Sequence, residues 1–144
     1  MTMLTLDSNE FNAFAPRSLR AESADLTPAQ FHDKYGECAG SIRLGAWSST
    51  GDRNGAFTAT LEFAGRATTV VAAGSPVAAM TSALYEAGYP VEILQFHQRR
   101  TGEGTATYMQ CEFDGRRGWG VALASDGAES SMRAMIASIN RLGA

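Results

Sequence analysis

The sequence predicts an α+β fold in which two pseudo-symmetric βββα units form one layered domain of sheet and helix. The first observation is a repeat: residues 62–66 (EFAGR) are matched about fifty positions later by residues 112–116 (EFDGR). In both copies, apolar and polar residues alternate with the period of two that a half-buried strand requires. An apolar pattern with helical spacing then follows each copy. Because only two copies of the unit exist, they are expected to form one domain rather than an open array of repeats.

The first unit is expected at about residues 40–88. Gly65 supplies the two-residue hairpin turn between its second and third strands, because such a turn requires a positive φ. Ser75 is a suitable N-cap for the helix and Pro76 suits its first position, where no backbone N–H is needed. Gly88 ends the helix. The predicted strands are 41–48, 56–63 and 66–72.

The second unit, at about residues 91–143, repeats this order. Asp114 and Gly115 are a strong signal for a two-residue hairpin. Asp126, with the preceding serine, is expected to cap the last helix, and Gly143 to end it. The predicted strands are 91–98, 106–113 and 116–124, with a polar turn over 99–104.

The N-terminal part of the chain differs from both units. Residues 1–25 carry scattered apolar residues without a period and are expected to form an arm, and the domain proper is expected over 26–144. Thr27 and Pro28 mark the start of a short helix, with Gln30 at the third position of a capping box.

Composition narrows the function classes. The chain has 144 residues, enough for one domain with its own core, and a formal net charge of −3. The absence of a broad basic field argues against nucleic acid as a partner. No apolar run approaches the ~20 residues of a membrane span and no targeting segment is recognised, so a cytoplasmic protein without membrane contact is expected. Cys38 and Cys111 lack metal or redox spacing and are expected to be reduced thiols.

The sequence offers no catalytic set that spacing supports. His32 and His97 are the two histidines, and Cys111 is expected to be a buried, inert thiol within a strand. We therefore expect no catalytic residue, no metal and no cofactor. The turn at residues 74–76 is a strand-to-helix junction whose free N–H groups could bind a carboxylate, although a plain helix cap would have the same sequence.

Three stretches resemble a known family: GSPVAAM at residues 74–80, WGVA at 119–122 and SMRAMIASINR at 131–141. From about residue 26 onward the chain resembles the C-terminal regulatory domain of α-isopropylmalate synthase and citramalate synthase. The resemblance implies two βββα units paired about a dimer axis, which bind leucine or isoleucine and inhibit a separate catalytic barrel. It implies a freestanding regulatory domain and a homodimer. Condensation of acetyl-CoA with a 2-oxo acid is not expected from this chain alone.

The resemblance also implies a ligand site for an amino acid or a related small carboxylate. The expected site residues are Gly74, Ser75, Pro76, Val77, Ala78, Ile93, Phe96 and Arg100. The helix start would hold the carboxylate, the two strand residues would form an apolar wall, and Arg100 would add a counter-charge. Phe96 takes a position usually held by tyrosine, residues 98–100 replace a Glu-His-Ala stretch, and Gly127 stands at an aliphatic position.

Two functions follow from these observations. The first is a noncatalytic effector-binding domain that acts in trans on a catalytic synthase subunit. The alternative is an enzyme or a small-molecule-binding protein that reuses the fold with an altered pocket, which would involve His97, Arg99 or Arg100. The scarcity of nucleophile–base pairs favours the first.

Overall fold

The structure, a computed structural model, describes residues 14–38, 40–49, 57–63, 65–72 and 75–143. Its helices are α1 (Arg17–Glu22), α2 (Pro28–Tyr35), α3 (Pro76–Glu86) and α4 (Gly127–Arg141). Its strands are β1 (Ile42–Ser49), β2 (Phe57–Phe63), β3 (Arg66–Ala72), β4 (Glu92–Thr101), β5 (Gly104–Phe113) and β6 (Arg116–Ala124).

The strands form two antiparallel sheets of three, in the orders β1-β2-β3 (sheet 1) and β4-β5-β6 (sheet 2). Each sheet precedes one of the two long helices, so the predicted α+β fold with two βββα units is confirmed. The predicted hairpin turns are confirmed as well. Gly65 has φ 89°, and Asp114 and Gly115 have φ 55° and 76°, the two successive positive values of a type I′ turn.

Helix α4 lies against β5 and β6 of its own unit and also against β1 of the first unit. Ten of its residues are buried. Among them, Met132, Met135, Ile136 and Ile139 share one apolar core with Leu61 from sheet 1. The main core therefore joins the two units.

A second core covers the other face of sheet 2. Leu19 of α1 and Phe31 of α2 pack there against Tyr108 and Trp119. Part of the segment that was expected to form an arm is therefore the helix α1. A helix of six residues is too short to show a period in the sequence, and its stability comes from burial of Leu19, which is fully buried. Residues 1–13 lie outside the described part of the chain.

The start of α2 is as predicted. The Thr27 hydroxyl oxygen accepts from the Gln30 backbone N–H at 3.2 Å, and the Gln30 side chain accepts from the Thr27 N–H at 2.9 Å. Glutamine thus completes a capping box.

The predicted polar turn over 99–104 is wrong. Arg99 and Arg100 lie within β4, opposite Ala106 and Thr105 of β5, and the turn is confined to the two residues after Thr101. Polar side chains are compatible with this assignment because β4 is an edge strand. None of the helices in the described ranges is long and apolar enough to cross a membrane.

Candidate ligand site

The first part of the site is the start of α3. Ser75 is the N-cap, as predicted, and its Oγ accepts from the Ala78 backbone N–H at 3.2 Å. Pro76 occupies the first helical position. The first turn of a helix has N–H groups without intrahelical partners and carries the positive end of the helix dipole. Gly74, also predicted to contribute here, lies outside the described residues.

The second part is the start of α4. Asp126 is the N-cap, and its Oδ1 accepts from the N–H groups of Ala128 at 2.8 Å and Glu129 at 3.2 Å. Gly127 follows as the first helical residue. Two helix starts thus border the same cavity, which has a volume of about 420 Å³. Its lining residues are Ser75, Pro76, Val77, Phe96, Gln98, Gly127, Ala128 and Ser131.

Gln98 forms a polar wall of this cavity. Its Nε2 lies 2.9 Å from Thr107 Oγ1, 2.9 Å from Ser131 Oγ and 3.0 Å from the Gly127 carbonyl oxygen. Ser131 Oγ in turn donates to the Gly127 carbonyl at 2.8 Å. The amide therefore connects β4 to the first turn of α4 at the edge of the cavity.

Thr107 and Ser130 continue this polar network into the core. Their hydroxyl oxygens are 2.7 Å apart, and both residues are fully buried. Sequence reasoning named Gln98 and Gly127 only as departures from the family, and it missed Ser131. The available signal was the pair of adjacent serines near the start of the helix.

The predicted site residues are divided between two depressions. Ser75, Pro76, Val77 and Phe96 line the cavity between the helix starts. Ala78 and Ile93 line an adjoining groove of about 590 Å³ between α3 and β4, which also contacts Ser75 and Val77. Arg100 is not among the described residues that line either depression.

The cavity offers groups for binding rather than for proton transfer. Val77 and Phe96 provide apolar surface, while Gln98 and Ser131 provide polar atoms. No histidine, cysteine or carboxylate side chain is among its described lining residues. His97 is paired with Tyr108, whose side chain belongs to the second core on the opposite face of sheet 2.

The buried thiol is also as predicted. Cys111 is fully buried, and burial raises its pKa to about 11, although the Ser138 hydroxyl acts in the opposite direction. A thiol that remains protonated at neutral pH is a poor nucleophile. Elsewhere in the described ranges, no group of three or more His, Cys, Asp or Glu side chains is arranged to hold a metal ion.

Comparison with known proteins identifies relatives of one kind. The 2-isopropylmalate synthase of Arthrobacter sp. (strain FB24) is 33% identical over 109 residues, which cover 71% of this chain and 19% of that protein. The 2-isopropylmalate synthase of Mycobacterium leprae (strain TN) is 26% identical over 145 residues, which cover 92% of this chain and 24% of that protein. The chain therefore spans about a fifth to a quarter of the length of these relatives.

The family model for the LeuA allosteric (dimerisation) domain matches residues 22–143. This match includes helix α2, both three-stranded sheets and both long helices. It agrees with the resemblance carried by the start of α3, the WGVA strand and the end of α4. The chain belongs to the LeuA allosteric (dimerisation) domain family.

Proposed function

We propose that the chain is a noncatalytic effector-binding domain that regulates a 2-isopropylmalate synthase, acting in trans on a catalytic subunit and working as a homodimer. The family description and the synthase relatives support the regulatory context. The observation that carries the proposal is the cavity between the starts of α3 and α4. It combines two helix N-termini with apolar walls, and its described lining residues include no histidine, cysteine or carboxylate.

The proposed effector is an amino acid or a related small carboxylate. Its carboxylate would lie at the helix starts, where N–H groups and the positive dipole ends favour an anion. Val77 and Phe96 would contact its apolar side chain, and the oxygens of Gln98 and Ser131 would accept hydrogen bonds from its ammonium group. Each of these four side chains lines the cavity.

Thermal unfolding of the purified chain with each of the twenty amino acids tests this function. A ligand that binds only the folded state raises the melting temperature, and at one hundred times its dissociation constant it contributes about 2.7 kcal/mol. We expect an apolar amino acid to raise the melting temperature and the remaining classes to have little effect. The chain alone is expected to lack 2-isopropylmalate synthase activity, and turnover would contradict the noncatalytic assignment.

The variant Gly127→Leu tests the location. A Cβ at Gly127 would lie 3.3 Å from Gln98 Oε1 at the cavity wall, so a leucine should fill the cavity and abolish the ligand-induced rise. Gly102→Leu is the matched control, because a Cβ there would meet no atom within 4 Å. If an effector stabilised Gly127→Leu as strongly as the parent, the ligand would bind elsewhere.

A further inference from the structure

A second cavity lies beside the middle of α4, between that helix and residues 37–38 and 42–44. Its volume of about 230 Å³ is below the roughly 300–1,000 Å³ of pockets for drug-sized ligands, so it suits a small molecule. Its apolar lining consists of Ile42, Leu44, Ile136 and Ala137. Ala137 lies ~15 Å along α4 from Gly127, and the two cavities share no described lining residue. This cavity is therefore separate from the one at the helix starts.

The guanidinium of Arg133 lines this second cavity in a fixed orientation. Its Nε donates to Glu129 Oε2 at 2.8 Å, one turn earlier in α4. The Glu129 side chain is 7% exposed and that of Arg133 is 25% exposed. A nearly buried carboxylate needs its cationic partner, so this pair holds the guanidinium in place at the border of the core.

The outer edge of the same guanidinium is less firmly occupied. Its Nη1 donates to Glu37 Oε2 at 3.1 Å, and the Glu37 side chain is 52% exposed. Its Nη2 has no acceptor among the described residues. An ion pair to an exposed carboxylate contributes little stability, so Glu37 can be replaced. Nη1 and Nη2 then offer two parallel N–H donors, the geometry that binds both oxygens of a carboxylate.

We propose that this cavity binds a small monocarboxylate with a short aliphatic chain, whose carboxylate replaces Glu37 on Arg133. The chain of the ligand would lie against Ile42, Leu44 and Ile136. This apolar surface disfavours inorganic phosphate, because buried phosphate oxygens would have no donors there. Binding at Arg133 goes beyond the proposed function and is independent of effector binding between the helix starts.

Cys38 also lines the second cavity and makes its occupancy measurable. Cys38 is exposed, whereas the other cysteine, Cys111, is buried, so iodoacetamide, a neutral reagent, should alkylate Cys38 first. Pentanoate, added at constant ionic strength, should slow this alkylation saturably, by about tenfold at ten times its dissociation constant. Mass spectrometry of the peptide that contains Cys38 would measure the rate. A ligand in the cavity at the helix starts would lie too far away to shield this thiol.

Two analogues test the two halves of the ligand separately. Pentanamide has the same aliphatic chain without the charge and should give little protection, because the strong contact is the charge-assisted one to the guanidinium. Acetate keeps the charge but lacks most of the chain. It should protect only at much higher concentration, since each buried methylene contributes about fourfold in affinity.

Two variants test the role of the guanidinium. Glu37→Gln removes the competing carboxylate and should lower the dissociation constant of pentanoate by about 1.5- to 5-fold. Glu103→Gln is the matched control, because it removes an exposed carboxylate in the turn after β4 and should leave the constant unchanged. Arg133→Lys keeps the charge but loses the two parallel donors, so it should weaken binding several-fold. Circular dichroism and thermal unfolding would verify that each variant is folded.

Four results would overturn the site: no protection of Cys38 by pentanoate, equal protection by pentanamide, a folded Arg133→Lys variant that binds as tightly as the parent, or a Glu37→Gln variant that binds no more tightly than Glu103→Gln. Glu37→Gln is expected to tighten binding, and partial unfolding could not produce that result.

Discussion

Individual residues set the distance between α4 and sheet 2. A Cβ added at Gly120 would collide with the Ala134 carbonyl oxygen and the Ser138 backbone nitrogen. The neighbouring Trp119 points into the second core on the opposite face of the sheet. The WGVA motif is therefore explained by packing on both faces: a large residue fills one core, and glycine allows the helix to approach on the other.

Cys111 predicts a measurable pH dependence of stability. Its pKa is raised to about 11 by burial, from an ordinary value of 9.0. Below pH 9 both the folded and the unfolded chain hold the thiol proton, and the stabilising contribution is complete. Between pH 9 and about pH 11 only the unfolded chain loses the thiol proton. The free energy of unfolding should therefore fall by up to about 1.4 kcal/mol per pH unit.

Urea unfolding of the parent and of Cys111→Ala between pH 8.5 and about 10.5 would measure this effect. The variant should have lower stability throughout but a shallower decline with pH. The control is Cys38→Ala, which removes an exposed thiol and should keep the steep decline because Cys111 is still present. Parallel declines in the parent and Cys111→Ala would contradict the prediction.

At the scale of elements, the end of α4 fixes the segment between α2 and β1. Asn140 Nδ2 donates to the Ile42 carbonyl at 2.9 Å, and its Oδ1 accepts from the Ile42 N–H at 3.2 Å. The amide thus acts as a partner for the first residue of β1. Arg141 donates to the carbonyls of Gly36 and Asp33, the latter at 2.8 Å. Its guanidinium satisfies the carbonyls at the end of α2, where cations are favoured.

Asn140→Ala should therefore destabilise the protein. Two hydrogen bonds are lost at about 0.5–1.5 kcal/mol each, and two partly buried backbone groups of Ile42 lose their partner. We expect a decrease of about 1–3 kcal/mol in the free energy of unfolding. Arg117→Ala is the control, since its side chain is 67% exposed and its ion pair with Glu112 spans 3.6 Å. A loss no larger than that of the control would contradict this role.

Elements that depend on local chemistry were predictable from the sequence, and those that depend on distant partners were not. The hairpin at Asp114 and the caps at Thr27, Ser75 and Asp126 follow from rules that involve a few neighbouring residues. The second half of β4 does not, because its strand conformation comes from pairing with β5. Within the candidate site, the helix start at Ser75 was predictable because a cap depends on neighbouring residues. The contact of Gln98 with Ser131 was not, because it depends on where α4 crosses sheet 2.

At the scale of the whole molecule, the sequence repeat corresponds to an internal pseudo-symmetry of the structure. Phe63 and Phe113, which are equivalent in the two copies, both contact Tyr89, with ring centroids 5.6 and 6.0 Å away. The symmetry is incomplete because α1 and α2 cover the outer face of sheet 2. On sheet 1, residues such as Thr58 and Thr69 remain exposed.

A shared core predicts that the two units unfold together. Leu61 of sheet 1 is fully buried in the cluster that also holds Met109 of sheet 2 and Met135 of α4. Leu61→Ala should reduce the free energy of unfolding by about 2–5 kcal/mol. Because the core is common to both units, a fluorescent group in the second unit should report the full decrease.

Trp119 can serve as this fluorescent group in a Trp47→Phe background, which removes the only other tryptophan. Trp119 lies in the second core, away from Leu61, and is 3% exposed. In the Leu61→Ala variant, the urea midpoint measured by Trp119 fluorescence and the midpoint measured by far-ultraviolet circular dichroism should both move to lower urea concentration by the same amount. The reason is that a two-state protein gives the same midpoint by every probe. Thr69→Ala, an exposed change in sheet 1, should leave the midpoint in place. If Leu61→Ala left the Trp119 midpoint unchanged while part of the dichroism was lost earlier, the units would be unfolding independently.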